Sequence, residues 1–359
     1  EAHPVGGYLG TWVAEPRVPE ALPDAQARER VDRYAQRDAV FPYAADASQP
    51  ERIWVHPGAG ALVVDVALDV LAQRSAETGG PGLLALSFSH TDKIGHAWTS
   101  TSREYADAVL RLGDELDRLF DALDARGLRW GAVLTGDHGG LGAPEGYLRF
   151  HADDAGAHPT DGPLASPDAF LEHRRAAQGY LSDPAVVATE AWRACGGATG
   201  AARWSFPYVW FPEGSAEVRA CAKAGAARAL GALRDGDVSL VAAVVDTDAG
   251  EVLTGALTAD VRAAVAASTF QGRSGDLHVV LAPGVVHLDR REAPVDAGTD
   301  HGMPWDYDRN VPLLFLGDAR VRAEALEAPV DLRRVAPTLG GWLGIRRPLA
   351  DDVAPPLPR

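Results

Sequence analysis

The stretch LLALSFSHTDKIGH, residues 83–96, joins a continuous apolar run to a polar segment carrying Asp92 and His96. The run 83–88 suits a strand buried on both faces, as in a parallel sheet. Residues just beyond such a strand lie at the carboxyl edge of the sheet, where open α/β folds build their sites. On a helical turn the four-residue spacing of Asp92 and His96 puts both side chains on one face. There they either share one cation at ~2.0–2.2 Å, or Asp92 caps a helix beside an unrelated histidine. Gly95 lets the backbone pass close to the site.

Downstream, WGAVLTGDHGG (130–140) repeats the arrangement, with Asp137 and His138 following the apolar run 130–135. Adjacent strand residues point to opposite faces, but Gly139 and Gly140 permit a tight turn in which both converge. The alternative is a polar loop with Asp137 as an N-cap. Between the two runs an amphipathic helix is predicted over 103–126, with Ser102 as its N-cap. Its apolar positions are Tyr105, Val109, Leu112, Leu116, Leu119 and Leu123, and Gly127 sits where a C-terminal glycine is expected. Strand, helix, strand in this order predicts a βαβ unit with a right-handed crossover.

A third piece, GTDHGMPWDYDRNVPLLFLG (298–317), places His301 in a glycine-rich polar loop before the apolar run 311–315. A lone loop histidine is more often solvated than ligated. Asp300, Asp306 and Asp308 read as supporting or surface groups, because metal-bound histidines often donate their other N–H to a carboxylate or carbonyl. Together the three pieces supply the oxygen and nitrogen ligands that hold a pair of divalent metals. A two-metal site is a recurrent device for hydrolysing phosphate esters.

The remainder bounds this reading. At 359 residues the chain can bury a large core, and its 46% hydrophobic and 23% charged fractions are ordinary for a globular protein. No apolar run approaches the ~20 residues that span a bilayer. The formal charge of −16, from 34 basic and 50 acidic residues, argues against a nucleic-acid-binding surface. Lys93 and Lys223 are the only lysines. Cys195 and Cys221 either form one bridge in an oxidising compartment or remain two thiols. The first residue is Glu1, so a signal peptide is not visible and its absence says little.

Four regions are expected: a surface lead-in (1–52) with one short helix over 25–36, a core α/β part with ligands (53–145), an inserted α+β cap (146–270) and a return to the core with the last ligand (271–359). Helical spacing covers 61–76, and helices are predicted over 184–193, 216–233 and 332–343. Strands are predicted over 205–211, 239–245, 277–282 and 311–315.

In order and in type, SFSHTDKIGHAWTSTSREYADAVLRLGDEL, AVLTGDHGG, RSGDLHVVLAPG (273–284), GTDHGMPWDYDRNVPLLFLG and DLRRVAPTLGGWLGI (331–345) resemble the alkaline phosphatase superfamily. The nearest resemblance is to its phosphate-irrepressible (PafA-like) alkaline phosphatases and to the type I phosphodiesterase/nucleotide pyrophosphatases. The resemblance spans most of 54–350. It implies an alkaline-phosphatase-like α/β fold with a mostly parallel central sheet and an inserted cap. It implies that Asp92, His96 and His301 hold one zinc and that Asp137 and His138 hold a second, with manganese or iron tolerated. Arg273, Ser274, Gly275 and Asp276 match a segment that positions the returning strand. Gly136 departs mildly from the alanine or serine common there.

The resemblance further implies a periplasmic or secreted hydrolase of a small phosphate ester or nucleotide, acting through a phospho-Ser/Thr intermediate. Monoesters are favoured over diesters. Residues 1–52 contain no strand–Asp and nucleophile pair, and Ser87, Ser89, Thr91 and Thr135 match no nucleophile position. The chain is therefore expected to represent the carboxyl-terminal portion of such an enzyme and to be inactive by itself. The rival readings are a phosphodiesterase/nucleotide pyrophosphatase, a sulfatase on the same core, or an inert fragment or degenerate homologue.

Overall fold

The computed structural model describes residues 12–14, 43–45, 58–74, 81–98, 103–140, 184–198, 200–235, 238–283, 285, 301–317, 321, 323–326 and 328–345. The expected helix over 25–36 and the Ser102 cap lie outside the described residues. So does Asp300.

Strands β1 (Trp12–Ala14) and β2 (Tyr43–Ala45) form a two-stranded antiparallel pair. Helix α1 (Ala59–Arg74) packs on the long helix α3 (Arg103–Ala125), with the shorter α2 (His90–Trp98) between them in sequence. The contact is apolar at its centre, where Val64, Ala67 and Leu119 are buried against Leu86, Phe88, Phe120 and Leu123. A polar clasp sits beside it. Arg118 of α3 donates to Asp65 Oδ1 at 2.6 Å and to the Ala61 carbonyl at 3.1 Å. Gly127, at φ +66°, ends α3 in the left-handed conformation that glycine adopts without a Cβ penalty.

Strand β3 (Ala132–Thr135) pairs with β11 (Leu313–Leu316) in antiparallel register, Thr135 opposite Leu313 and Ala132 opposite Leu316. Helix α8 (Val335–Trp342), entered through a 3₁₀ turn at Leu332–Arg334, closes on this pair through an edge contact of Trp342 with Phe315 at 5.7 Å.

The larger core is a five-stranded sheet in the order β4-β5-β10-β8-β9, antiparallel throughout. Its strands are β4 (Arg203–Ser205), β5 (Tyr208–Trp210), β8 (Val241–Asp246), β9 (Glu251–Gly255) and β10 (Leu277–Leu281). The short hairpin of β6 (Arg234–Asp235) and β7 (Val238–Ser239) precedes β8. Helices α4 (Pro184–Ala194), α5 (Ala216–Gly231) and α6 (Ala259–Ser268) accompany the sheet. All five residues of β10 are buried, and Trp192, Leu230 and Leu240 are fully enclosed around it. Cys195 and Cys221 form a disulfide that ties the end of α4 to α5. Lys223 of α5 is buried and paired with Asp246 at 2.9 Å and Asp248 at 2.8 Å. Asp276 secures the start of β10, accepting from Phe211 N at 2.7 Å and from Arg219. Gly275 is required there, since a Cβ would lie 2.6 Å from Tyr208 Cβ and 2.7 Å from the Val209 carbonyl.

Mixed α/β architecture is thus as the sequence predicts, with two corrections. The run 83–88 makes no strand among the described residues. Leu83 is 63% exposed, while Leu86 and Phe88 pack onto α1 and α3. An apolar run becomes a strand only where a neighbour pairs its backbone, and no described segment does so. The predicted βαβ unit is therefore absent from the described residues, whose strand pairings are all antiparallel. Second, Leu277–Leu281 belongs to the five-stranded sheet rather than to the β3–β11 pair. A continuous apolar run reports burial on both faces and says nothing of the direction of its neighbours.

His278 sits inside that sheet at 3% exposure, its ring tilted against Tyr208 at 4.8 Å, and neither ring nitrogen finds a partner among the described residues. Burial lowers its pKa from 6.5 to about 4. The unfolded chain therefore takes up the proton more readily than the folded one. The resulting stability is complete above pH 6.5 and is lost as pH falls towards 4, by about 3 kcal/mol at most. Denaturant unfolding at pH 7 and pH 4.5 should show this loss in the wild type, and His278→Leu should flatten it. The disulfide closes a span of 26 residues, a length for which about 3 kcal/mol is expected. Thermal unfolding of the Cys195→Ala/Cys221→Ala protein should show a loss of that order.

Candidate metal centre

Three elements converge on one point. Helix α2 carries Asp92 in its first turn and His96 in its last, with Ile94 fully buried on the opposite side. The spacing does what helical geometry requires: His96 Nε2 lies 3.2 Å from Asp92 Oδ1. The turn after β3 brings in His138, and the loop before α7 (Asp306–Arg309) brings in His301. His301 Nε2 is 3.4 Å and His138 Nε2 is 3.8 Å from the same Asp92 oxygen. The His138 and His301 rings stack at 3.4 Å with 15° between planes, and His96 lies 5.0 Å from His301, centroid to centroid. Asp92 Oδ2 faces Lys93 Nζ at 3.4 Å.

Burial opposes ionisation of Asp92. Contacts with His301 and His96, and the charges of His96 and Lys93, outweigh it and hold the carboxyl well below its usual range. The His138 tautomer follows from its neighbour. Nδ1 is 2.8 Å from the Gly139 carbonyl, which only accepts, so Nδ1 carries a proton and Nε2 is the nitrogen turned toward Asp92. Gly136 and Gly139 make the turn possible: a Cβ on Gly136 would come within 3.1 Å of the His138 carbonyl, and one on Gly139 would overlap the Tyr307 carbonyl.

The donor set fits a divalent ion. One ligand atom each from Asp92, His96 and His301 falls within 4.8 Å of the others. Ligand atoms around a tetrahedral ion with bonds of ~2.0–2.2 Å lie ~3.3–3.6 Å apart. The Asp92 separations of 3.2 Å and 3.4 Å match that spacing. His138 lies beside this group, 3.8 Å from Asp92 Oδ1 and stacked on His301. Asp137 is different: its side chain is 90% exposed, Oδ2 is 3.7 Å from His138 Nε2, and Oδ1 accepts from the His138 backbone N–H. Asp137 and His138 thus place one carboxylate oxygen and one imidazole nitrogen 3.7 Å apart.

Tyr105 was not legible as a neighbour of this centre, whereas Asp308 reads in sequence as a supporting or surface group. Tyr105 reads in sequence as one position of an apolar stripe. Its ring lies beside Gly95, within 3.5 Å of where a Cβ would stand, and its pKa is raised by burial and by the charge of Asp92. Asp308 is 5% exposed, and its Oδ2 accepts from Gly302 N at 3.0 Å and Met303 N at 2.7 Å. Of the segment Arg273 to Asp276, Gly275 and Asp276 make their contacts at the start of β10.

Converging carboxylate and imidazole donors on a mixed α/β chain define the class of folds with a candidate metal centre. Comparison with known proteins narrows the class. A model of the type I phosphodiesterase/nucleotide pyrophosphatase family matches residues 13–304, and the chain belongs to that family. It is 28% identical over 303 residues to an alkaline phosphatase, PhoD, of Zymomonas mobilis, covering 81% of this chain and 47% of the relative. It is 27% identical over 281 residues to an alkaline phosphatase, PhoK, of a Sphingomonas species, covering 76% and 46%. A third relative, alkaline phosphatase PhoV of Synechococcus elongatus, matches at 38% over 81 residues, 22% of this chain and 14% of its own. The chain spans about half the length of the first two relatives.

Proposed function

We propose that this chain carries the metal-binding half of a phosphate ester hydrolase, with monoesters preferred to diesters. The observation that carries this reading is the single Asp92 oxygen placed 3.2 Å to 3.8 Å from three imidazole nitrogens. Membership of the family and the names of the relatives support it.

In this reading Asp92, His96 and His301 hold one zinc, and His138 with Asp137 contributes to a second. A bound divalent ion supplies Lewis acidity that neutralises charge on the phosphoryl and leaving oxygens. The chain's own groups prepare the place. Asp92 stays ionised and offers Oδ1. Lys93 holds the other carboxylate oxygen. The Nδ1–H donation of His138 to the Gly139 carbonyl keeps its Nε2 directed inward, toward Asp92. Such positioning and charge placement account for most of the rate in phosphoryl transfer. No Ser or Thr of the chain is assigned as the nucleophile of a phosphoenzyme. The four-part division at residues 52, 145 and 270 remains part of the proposal. So does a periplasmic or secreted location, which the Cys195–Cys221 disulfide supports because such bonds persist in oxidising compartments.

Zinc titration and ester hydrolysis together provide the test. The chain should bind roughly one zinc through Asp92, His96 and His301. The protein should hydrolyse p-nitrophenyl phosphate faster than its bis ester and lose turnover to a chelator. Asp92→Asn or His301→Ala should weaken zinc binding and lower kcat/KM by at least about 100-fold. Wild-type turnover in either variant would sink the assignment.

A further inference from the structure

We propose that Asp308 is a positioning residue that locks the His138 turn and the His301 loop into one rigid unit. It acts on both at once. Its carboxylate Oδ2 accepts from the backbone N–H of Gly302 and of Met303, the two residues that follow His301, at 3.0 Å and 2.7 Å. Its backbone carbonyl accepts at 2.7 Å from Gly139, the residue that follows His138. The two imidazoles whose loops it joins are stacked at 3.4 Å. Asp308 is 5% exposed, so these bonds form away from water, where a hydrogen bond is electrostatically stronger.

The surroundings make the junction stiff. Gly302 takes φ +107°, a backbone state that favours glycine, and the carboxylate fixes the turn at that position. Met303 and Trp305 tie the same loop to the buried strand β10: Leu281 N donates to Met303 Sδ at 3.1 Å, and Trp305 Nε1 donates to the Leu281 carbonyl at 3.0 Å. On the other side, Gly139 approaches so closely that a Cβ would overlap the Tyr307 carbonyl. Asp308 thus transmits the rigidity of the five-stranded sheet to His301, and through the Gly139 bond to His138.

The proposal rests on the metal-site reading for its effect on zinc, and the test separates the two. The metal-free chain is compared with Asp308→Ala and Asp308→Asn by two readouts. One is zinc affinity by calorimetry against a competing chelator. The other is the ring-current shift of the His138 and His301 imidazole protons by NMR without metal. Asp308→Ala should lower zinc affinity about 10–100-fold and move both imidazole resonances towards unstacked values. Asp308→Asn, which keeps an accepting oxygen, should recover part of both. If Asp308→Ala does not fold, Gly139→Ala strains the same junction from the other side and should give the same loss of stacking. Folded variants with wild-type resonances would overturn the proposal, even if their melting temperature fell. A wild-type chain that binds no zinc would remove the metal reading, and the resonances would still decide the role of Asp308.

Discussion

One carboxylate oxygen, Oδ1 of Asp92, lies within 3.8 Å of the Nε2 atoms of His96, His301 and His138. Three imidazoles crowd one acceptor only if positive charge is shared among them, as protons on the rings or as a cation between the ligand atoms. The local geometry serves that requirement. Helix α2 sets Asp92 and His96 on one face, and a carbonyl fixes the protonated nitrogen of His138. Lys93 occupies the second carboxylate oxygen. The rest of the described structure holds the other two histidines against this point.

That holding is done largely by the antiparallel sheet. Its central strand β10 is buried along its whole length and receives Met303 and Trp305 of the His301 loop on its terminal residue. The sheet is itself braced by the disulfide between α4 and α5, by the Lys223 pairs and by Asp276 at the start of β10. A region that reads in sequence as a cap inserted beside the site therefore also supports one of its donors. Dense packing transmits position over such distances because well-packed interiors deform little.

Asp92 and His96 were readable as a pair because their separation is local, and a helix places residues four apart on one face whatever surrounds it. Most helices were readable for the same reason: apolar periodicity and the glycine at position 127 act within a few turns. The run 83–88 was misread because strand formation depends on a partner elsewhere in the chain. Tyr105 is not distinguished by anything local from the rest of its apolar stripe, and Asp308 reads as a supporting or surface group no differently from Asp300 and Asp306. Their contacts arise only when α3 meets α2, and when the His301 loop meets the turn after β3.

By itself the sequence determined which side chains could bind a cation, the α/β character of the chain and the local geometry of α2. It left the cysteines open between a bridge and two thiols. Tertiary structure alone decided that they are joined, that strand neighbours run antiparallel and that His138 stacks on His301. It also decided that Asp137 faces solvent while one Asp92 oxygen serves three histidines. The physical reason is range. Periodicity and spacing act through neighbouring bonds, whereas ligand convergence, strand direction and cross-linking depend on contacts between segments tens to hundreds of residues apart.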